Sequence, residues 1–147
     1  MIANLDIGLV VANAGYFENK PNPFTVNSDE YIKNLVNINC LQFVYVFRIL
    51  SEKLMKRPKR SGMLVTSSMA YARPSPGIAC YSAVKKFATH MAQGLNLELA
   101  EKVDVMSYNP FGVATKLIKK DKSQAGGATI TVEQAVEACF RDMGCND

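Results

Sequence analysis

The sequence has few of the residues that build metal centres and disulfide frameworks. Its 147 residues include four cysteines and one histidine, His90. No two cysteines form a CxxC pair, so we predict neither a zinc site nor a compact disulfide framework. His90 has no carboxylate or cysteine near it in sequence that would suit a catalytic partner, and we do not expect it to be a catalyst. Small buried side chains in a reducing compartment are the expected role of Cys40, Cys80, Cys139 and Cys145.

Long apolar runs and strong charge are also absent. The first six residues carry no basic region, so we expect no secretory signal. No stretch approaches the roughly 18 continuous apolar residues that indicate a membrane span. The net charge of +4 is mild. Its densest basic cluster, residues 53–60, suits the solvated end of a helix better than a nucleic-acid patch. We therefore predict no membrane span and no nucleic-acid partner.

Short apolar runs alternate with longer amphipathic stretches along the chain. The predicted strands are residues 7–11, 62–66 and 103–108. A long helix should follow an N-cap at Asn27 and end before Pro58, and a second should span residues 79–100. Thr131 and Gln134 have the spacing of a capping box and should open a last helix that ends near Met143. This alternation predicts an α/β fold with a parallel, doubly wound, Rossmann-like sheet.

Polar clusters follow each predicted strand, and this is the first functional indication. They lie at residues 13–15, 67–68 and 109–112. Because ligands of parallel sheets collect at the carboxyl ends of the strands, we expect the three clusters to line one site.

Two tyrosine–lysine pairs share a four-residue spacing. Tyr16 and Lys20 lie in a predicted loop, whereas Tyr81 and Lys85 open a predicted helix, where residues i and i+4 are neighbours. A nearby ammonium lowers the pKa of a phenol and makes it a better proton donor. Ser68, at a strand end 13 residues before Tyr81, could bind the same substrate oxygen, and Tyr16 has no serine at that spacing.

These residues together resemble the short-chain dehydrogenase/reductase family, and the likeness corresponds to the C-terminal part of a family member. Asn13, Ala14 and Gly15 are similar to the turn after the family's fourth strand, although Ala12 replaces a common asparagine. The resemblance implies that the catalytic residues are Asn39, Ser68, Tyr81 and Lys85. It implies cofactor contacts from Asn13, Ala14, Gly15, Tyr81, Lys85, Pro110, Gly112, Val113 and Thr115, with Phe111 inserted into the usual Pro-Gly.

The resemblance also implies a mechanism and a substrate class. Tyr81 would donate a proton to a carbonyl, Lys85 would lower the pKa of Tyr81 and bind the nicotinamide ribose, and Ser68 would polarise the carbonyl. Asn39 would hold a water that links Lys85 to solvent. Segments 36–39, 81–85 and 113–117 are similar to 17-beta-hydroxysteroid dehydrogenases and very-long-chain 3-oxoacyl-CoA reductases, enzymes of lipid metabolism. NADP is the expected cofactor, with NAD possible, and the endoplasmic reticulum the expected location, with the cytoplasm as alternative.

One family feature is missing from this sequence. It contains no TGxxxGxG turn for a pyrophosphate, and Gly126-Gly127 lacks that spacing and suits a hinge. We therefore expect residues 1–147 to form the C-terminal part of one NAD(P)-binding domain, without its N-terminal βαβ units. Three interpretations stay open: a truncated reductase, which we favour; a short protein that pairs its exposed first strand with another chain; or a non-catalytic interaction module. A homo-oligomer through the long helices is also possible.

Overall fold

Three parallel strands form the main sheet. The computed structural model describes residues 4–18, 20–118 and 126–143, so Cys145 and most of the polar stretch after residue 118 lie outside the described residues. The strands are β1 (Leu9–Ala12), β2 (Ser61–Thr66) and β3 (Val103–Tyr108), in the order β1-β2-β3. In register, Val10 lies opposite Met63, and Leu64 lies opposite Met106. The predicted α/β class and parallel, Rossmann-like sheet are confirmed, and β1 is an edge strand within the described residues.

The first predicted helix is interrupted in the structure. It consists of α1 (Asp29–Val36), a π-helical segment (Asn37–Leu41) and α2 (Gln42–Met55). The prediction of Asn27 as N-cap is wrong. The Ser28 hydroxyl accepts the backbone N–H of Tyr31 at 3.1 Å and caps α1, whereas the Asn27 N–H donates to the Phe24 carbonyl and closes a 3-10 turn.

Helices α2 and α3 (Ala79–Leu99) cover one face of the sheet. Phe43 and Phe47 of α2 are 2% and 1% exposed, and burial of each contributes up to about 3 kcal/mol. Ala88 and Ala92 of α3, four residues apart on one helical face, are buried in the same core. Their small side chains let the helix pack closely against the strands.

The opposite face is only partly covered. Leu9 and Val11 of β1 are 39% and 48% exposed on that side. Helix α4 (Val132–Met143) lies along it, with Ala135 and Cys139 buried. The predicted capping box opens α4, because the Thr131 N–H donates to Gln134 Oε1 at 2.9 Å and the Gln134 N–H donates to Thr131 Oγ1 at 3.2 Å. Across the described ranges, no helix combines the length and apolar character needed to cross a membrane.

A second, two-stranded sheet joins the main sheet to α4. Strands β4 (Gly112–Val113) and β5 (Thr129–Ile130) pair in parallel. The turn before β5 has positive φ angles of 154° at Gly126 and 57° at Gly127. Glycine adopts such angles without a steric penalty, so this pair serves the turn that leads into β5.

Several cations of the 53–60 cluster have carboxylate partners. Arg57 forms a bidentate pair with Asp6, with Nε–Oδ1 and Nη2–Oδ2 distances of 2.7 and 3.1 Å. Arg60 pairs with Asp104 at 2.6 Å. The first pair holds the segment before β1 to the end of α2, and the second holds the start of β2 to β3, which fits the helix-end interpretation of the cluster.

Candidate active site

The turn after β1 brings the first polar cluster to the carboxyl end of the sheet. The Asn13 side-chain oxygen accepts the Thr66 hydroxyl at 2.9 Å, which ties the turn to the end of β2. Gly15 lies beside two other predicted site residues. A Cβ atom at Gly15 would lie 3.5 Å from Asn39 Oδ1 and 3.6 Å from Lys85 Nζ. The turn therefore lies within van der Waals reach of both side chains.

Asn39 holds the loop that follows this turn. It lies in the π-helical segment and is 3% exposed. Its amide donates to the carbonyls of Tyr16 and Leu35, both at 2.9 Å, and its oxygen accepts the Tyr16 N–H at 3.3 Å. All three bonds go to backbone groups, so this side chain fixes the path of residues 16 and 17. The predicted water contact of Asn39 stays a prediction.

Tyr81 and Lys85 lie one turn apart on α3. The Lys85 Nζ atom is 5.6 Å from the centre of the Tyr81 ring and donates to the Thr66 carbonyl at 3.0 Å. Lys85 is 4% exposed, and burial lowers its pKa to about 8.

The Tyr81 phenol shows the opposite of the expected pKa shift. Burial raises the pKa of Tyr81, a side-chain hydrogen bond with Ser68 lowers it by less, and Tyr31 adds a further rise. The lowering expected from Lys85 does not appear, and burial is the largest cause of the shift.

Ser68 has two contacts at the end of β2. Its hydroxyl accepts the Ala70 N–H at 3.2 Å and caps the 3-10 turn Met69–Tyr71. Its side chain also lies close enough to Tyr81 to lower the pKa of that phenol. The capping interpretation and the site interpretation of Ser68 are therefore compatible.

Phe17 was not anticipated from the sequence. Its ring stacks on the Tyr81 ring, with centroids 4.3 Å apart and planes inclined by 30°. The nearby pair Tyr16 and Lys20 lies in a loop, as predicted, and the Tyr16 hydroxyl donates to Glu18 at 2.9 Å. The position of Phe17, two residues after Gly15, was the only sequence indication that an aromatic ring could reach the site.

One cavity of about 520 Å³ collects most of the predicted site residues. Its walls include Asn13, Ala14, Gly15, Ser68, Tyr81, Lys85, Pro110, Val113 and Thr115, together with α4 residues such as Ala135 and Cys139. Asn39 and Gly112 do not line it. Gly112 instead packs against β5, where a Cβ atom would lie 3.1 Å from Thr129 Oγ1. The cavity thus combines a phenol, an amine, a hydroxyl and exposed backbone at the strand ends, a set suited to proton transfer to a bound carbonyl.

Comparison with known proteins assigns the family. The sequence model described as short chain dehydrogenase matches residues 3–126. The chain is 33% identical over 121 residues to a very-long-chain 3-oxoacyl-CoA reductase of Neurospora crassa, covering 81% of this chain and 36% of the relative. It is 30% identical over 113 residues to the human inactive hydroxysteroid dehydrogenase-like protein 1, covering 76% of this chain and 34% of the relative.

A solved structure shares the fold. The chain is similar to the 3-ketoacyl-(acyl-carrier-protein) reductase of Brucella melitensis, solved in complex with NADH, with a TM-score of 0.78 and 25% identity. The match covers 90% of this chain and 58% of that one. The chain belongs to the short chain dehydrogenase family. It spans about a third of the length of the curated relatives named above.

Proposed function

We propose that the chain carries the catalytic part of an NAD(P)H-dependent reductase that reduces a ketone, in a 3-oxoacyl thioester or a ketosteroid. The observation that carries the proposal is the shared cavity of Tyr81, Lys85 and Ser68, next to the turn of residues 13–15. Family membership supports the reaction class, and the name of the Neurospora relative supports the 3-oxoacyl substrate.

The cavity residues fit the nicotinamide end of a dinucleotide. The turn at residues 13–15 and the segment from Pro110 to Thr115 offer backbone groups along the walls, and Lys85 Nζ would donate to a ribose hydroxyl. When bound there, a reduced nicotinamide supplies the hydride. The Tyr81 hydroxyl would deliver the proton to the substrate oxygen, and Ser68 would donate a hydrogen bond to the same atom.

Proton donation at Tyr81 agrees with its raised pKa. Because burial keeps the phenol protonated at neutral pH, Tyr81 would enter the reaction in the form that can donate. Lys85, with a pKa of about 8, would supply more positive charge below that pH, which favours loss of the phenolic proton to the substrate.

A second interpretation is a module that needs another chain or has lost catalysis. The sequence contains no TGxxxGxG turn, and a relative named inactive is 30% identical. The open edge of β1, with Leu9 and Val11 half exposed, would suit a pairing partner.

Cofactor titration and one matched pair of variants separate these interpretations. NADPH and NADH would each be titrated into the chain by calorimetry, followed by assays with a 3-oxoacyl-CoA and a ketosteroid. We expect Tyr81→Phe to abolish ketone reduction and Tyr16→Phe, at the other copy of the spacing, to preserve it. No binding of either cofactor would reject a reductase that acts by itself and leave the second interpretation.

Location and assembly are further proposals of the same kind. We place the protein at the endoplasmic reticulum, which imaging of a tagged chain would test against the cytoplasm. A homo-oligomer through the long helices is supported by Tyr45 and Ile49 of α2, which are 63% and 68% exposed. Sedimentation of the chain and of Ile49→Lys would show whether this face associates.

A further inference from the structure

A polar cluster lies beneath the candidate active site, between α3 and the ends of β2 and β3. We define it as Ser67, Thr89, Ser107 and Asn109. Ser67 also lines the cavity, and neither Thr89 nor Ser107 was assigned a role above. Thr89 and Ser67 are 2% and 3% exposed. Buried hydroxyls are costly unless they are hydrogen-bonded, so the partners of this cluster determine what it does.

Thr89 is the centre of the polar cluster. Its Oγ1 atom lies 2.9 Å from Ser67 Oγ, 2.9 Å from Asn109 Oδ1 and 3.1 Å from Ser107 Oγ. The Ser107 hydroxyl also reaches Asn109 Oδ1 at 2.9 Å. The side chains of Ser67, Ser107 and Asn109, from the ends of β2 and β3, thus all meet the hydroxyl of Thr89 on α3.

The bonding directions within the cluster follow from its fixed acceptors. The Ser67 hydroxyl donates to the backbone carbonyl of Lys85 at 2.8 Å, and a carbonyl can only accept. Ser67 can therefore only accept from Thr89, and Asn109 Oδ1, an amide oxygen, can also only accept from it. Thr89 has one proton for these two acceptors, so its hydroxyl donates to Ser67 or to Asn109 and links the Lys85 backbone to the segment after β3.

The polar cluster touches the backbone next to three parts of the site. Ser67 precedes Ser68, Asn109 precedes Pro110, and the Lys85 carbonyl is held directly. Two backbone bonds complete the junction: Ser67 N–H to the Tyr108 carbonyl at 2.7 Å, and Met69 N–H to the Pro110 carbonyl at 2.9 Å.

We propose that Thr89 is a positioning residue, whose hydroxyl fixes Ser67, Ser107 and Asn109 and thereby the relative placement of Lys85, Ser68 and the segment after Pro110. Its importance for catalysis rests on the proposed function, but the placement itself does not. Thr89 does not line the cavity. It would therefore act through Ser67, Ser107 and Asn109, which its hydroxyl contacts.

The pKa of Lys85 depends on how its side chain is held, and it can be measured on the chain alone, without cofactor or substrate. Lys85 Nζ is bonded to the Thr66 carbonyl next to Ser67, and its titratable neighbours are Cys40 from the π-helical segment and Tyr81 from its own helix. With a pKa of about 8, it should titrate well apart from ordinary lysines in NMR spectra of the chain labelled at lysine Cε.

Thr89→Val is the test, because valine keeps the shape and removes the hydroxyl. We expect the Lys85 midpoint to rise by about one pH unit, a tenfold change in proton affinity, as its surroundings loosen. Thr89→Ser should restore the midpoint. Ser82→Ala is the matched control, since Ser82 is a buried residue of the same helix whose hydroxyl donates to the local Ala79 carbonyl at 2.9 Å.

The outcome that overturns the proposal is an unchanged Lys85 titration in Thr89→Val with a lowered unfolding midpoint, which would mean a merely structural role. If Thr89→Val does not fold, Ser107→Ala at the edge of the polar cluster replaces it, with the same expected direction and the same refuting result. A chain that reduces no ketone would reject the proposed function yet still give this titration, so the two failures are distinguishable.

Discussion

Removal of the Asn39 side chain tests whether its amide holds the loop over the site. Asn39→Ala deletes three hydrogen bonds, to the Leu35 carbonyl and to both backbone groups of Tyr16. The Leu35 contact is buried and the two Tyr16 contacts are partly buried. A buried group left unpaired costs about 1–3 kcal/mol, and water can replace part of the outer pair. We therefore expect a loss of roughly 2–3 kcal/mol in the free energy of unfolding.

Urea denaturation followed by circular dichroism measures this loss. For a chain of this size the thermal midpoint should fall by roughly 5–10 °C. Asn37→Ala is the matched control, because Asn37 is exposed in the same π-helical segment. An Asn39→Ala cost no larger than that of Asn37→Ala would show that the Asn39 hydrogen bonds to Tyr16 contribute nothing to the free energy of unfolding.

Two further predictions concern ionisation in the site. The pKa of Lys85 is about 8 in the folded chain, below its ordinary value of 10.5, so the unfolded chain binds more protons between these values and Lys85 makes stability rise with pH across that window. Comparison with Lys85→Met should show this as a relative gain of roughly 2–3 kcal/mol for the parent chain between pH 7 and 10, and a constant difference would contradict it. Burial raises the pKa of Tyr81, and Phe17 stacks on its ring. Phe17→Ala should therefore lower the midpoint pH at which the Tyr81 phenolate absorbance appears, a signal that is assigned by its loss in Tyr81→Phe. Phe17→Leu should shift it less, and equal shifts would refute the role of the aromatic cover.

The strands and the residues of the cavity could be predicted because they follow local patterns. Continuous β-branched runs indicate buried parallel strands, and topology then brings the residues after each strand to one edge. Tyr81, Lys85 and Ser68 were placed by this logic together with the family resemblance, and the structure brings them to one cavity.

What escaped prediction depends on tertiary contacts. The stacking of Phe17 on Tyr81 and the meeting of Thr89 with Ser67 join residues 64 and 22 positions apart, from 17 to 81 and from 67 to 89. No periodic pattern encodes such pairs. The direction of the Tyr81 pKa shift was missed for the same reason, since the degree of burial is a property of the packed chain.

The π-helical segment also decides which side chains of the first long helix face inward. Leu35, Asn39, Phe43 and Phe47 are all buried and follow one another at four-residue steps. In a regular α-helix each such step overshoots a full turn by about 40°, so the last of them would be carried far around the helix from the first. The wider turn at residues 37–41 takes up part of that drift. If the same residues wound as a regular α-helix, Phe43 would lie about 80° further around the helix axis from Leu35, so the Asn39 side chain and the aromatic core could no longer face the sheet together.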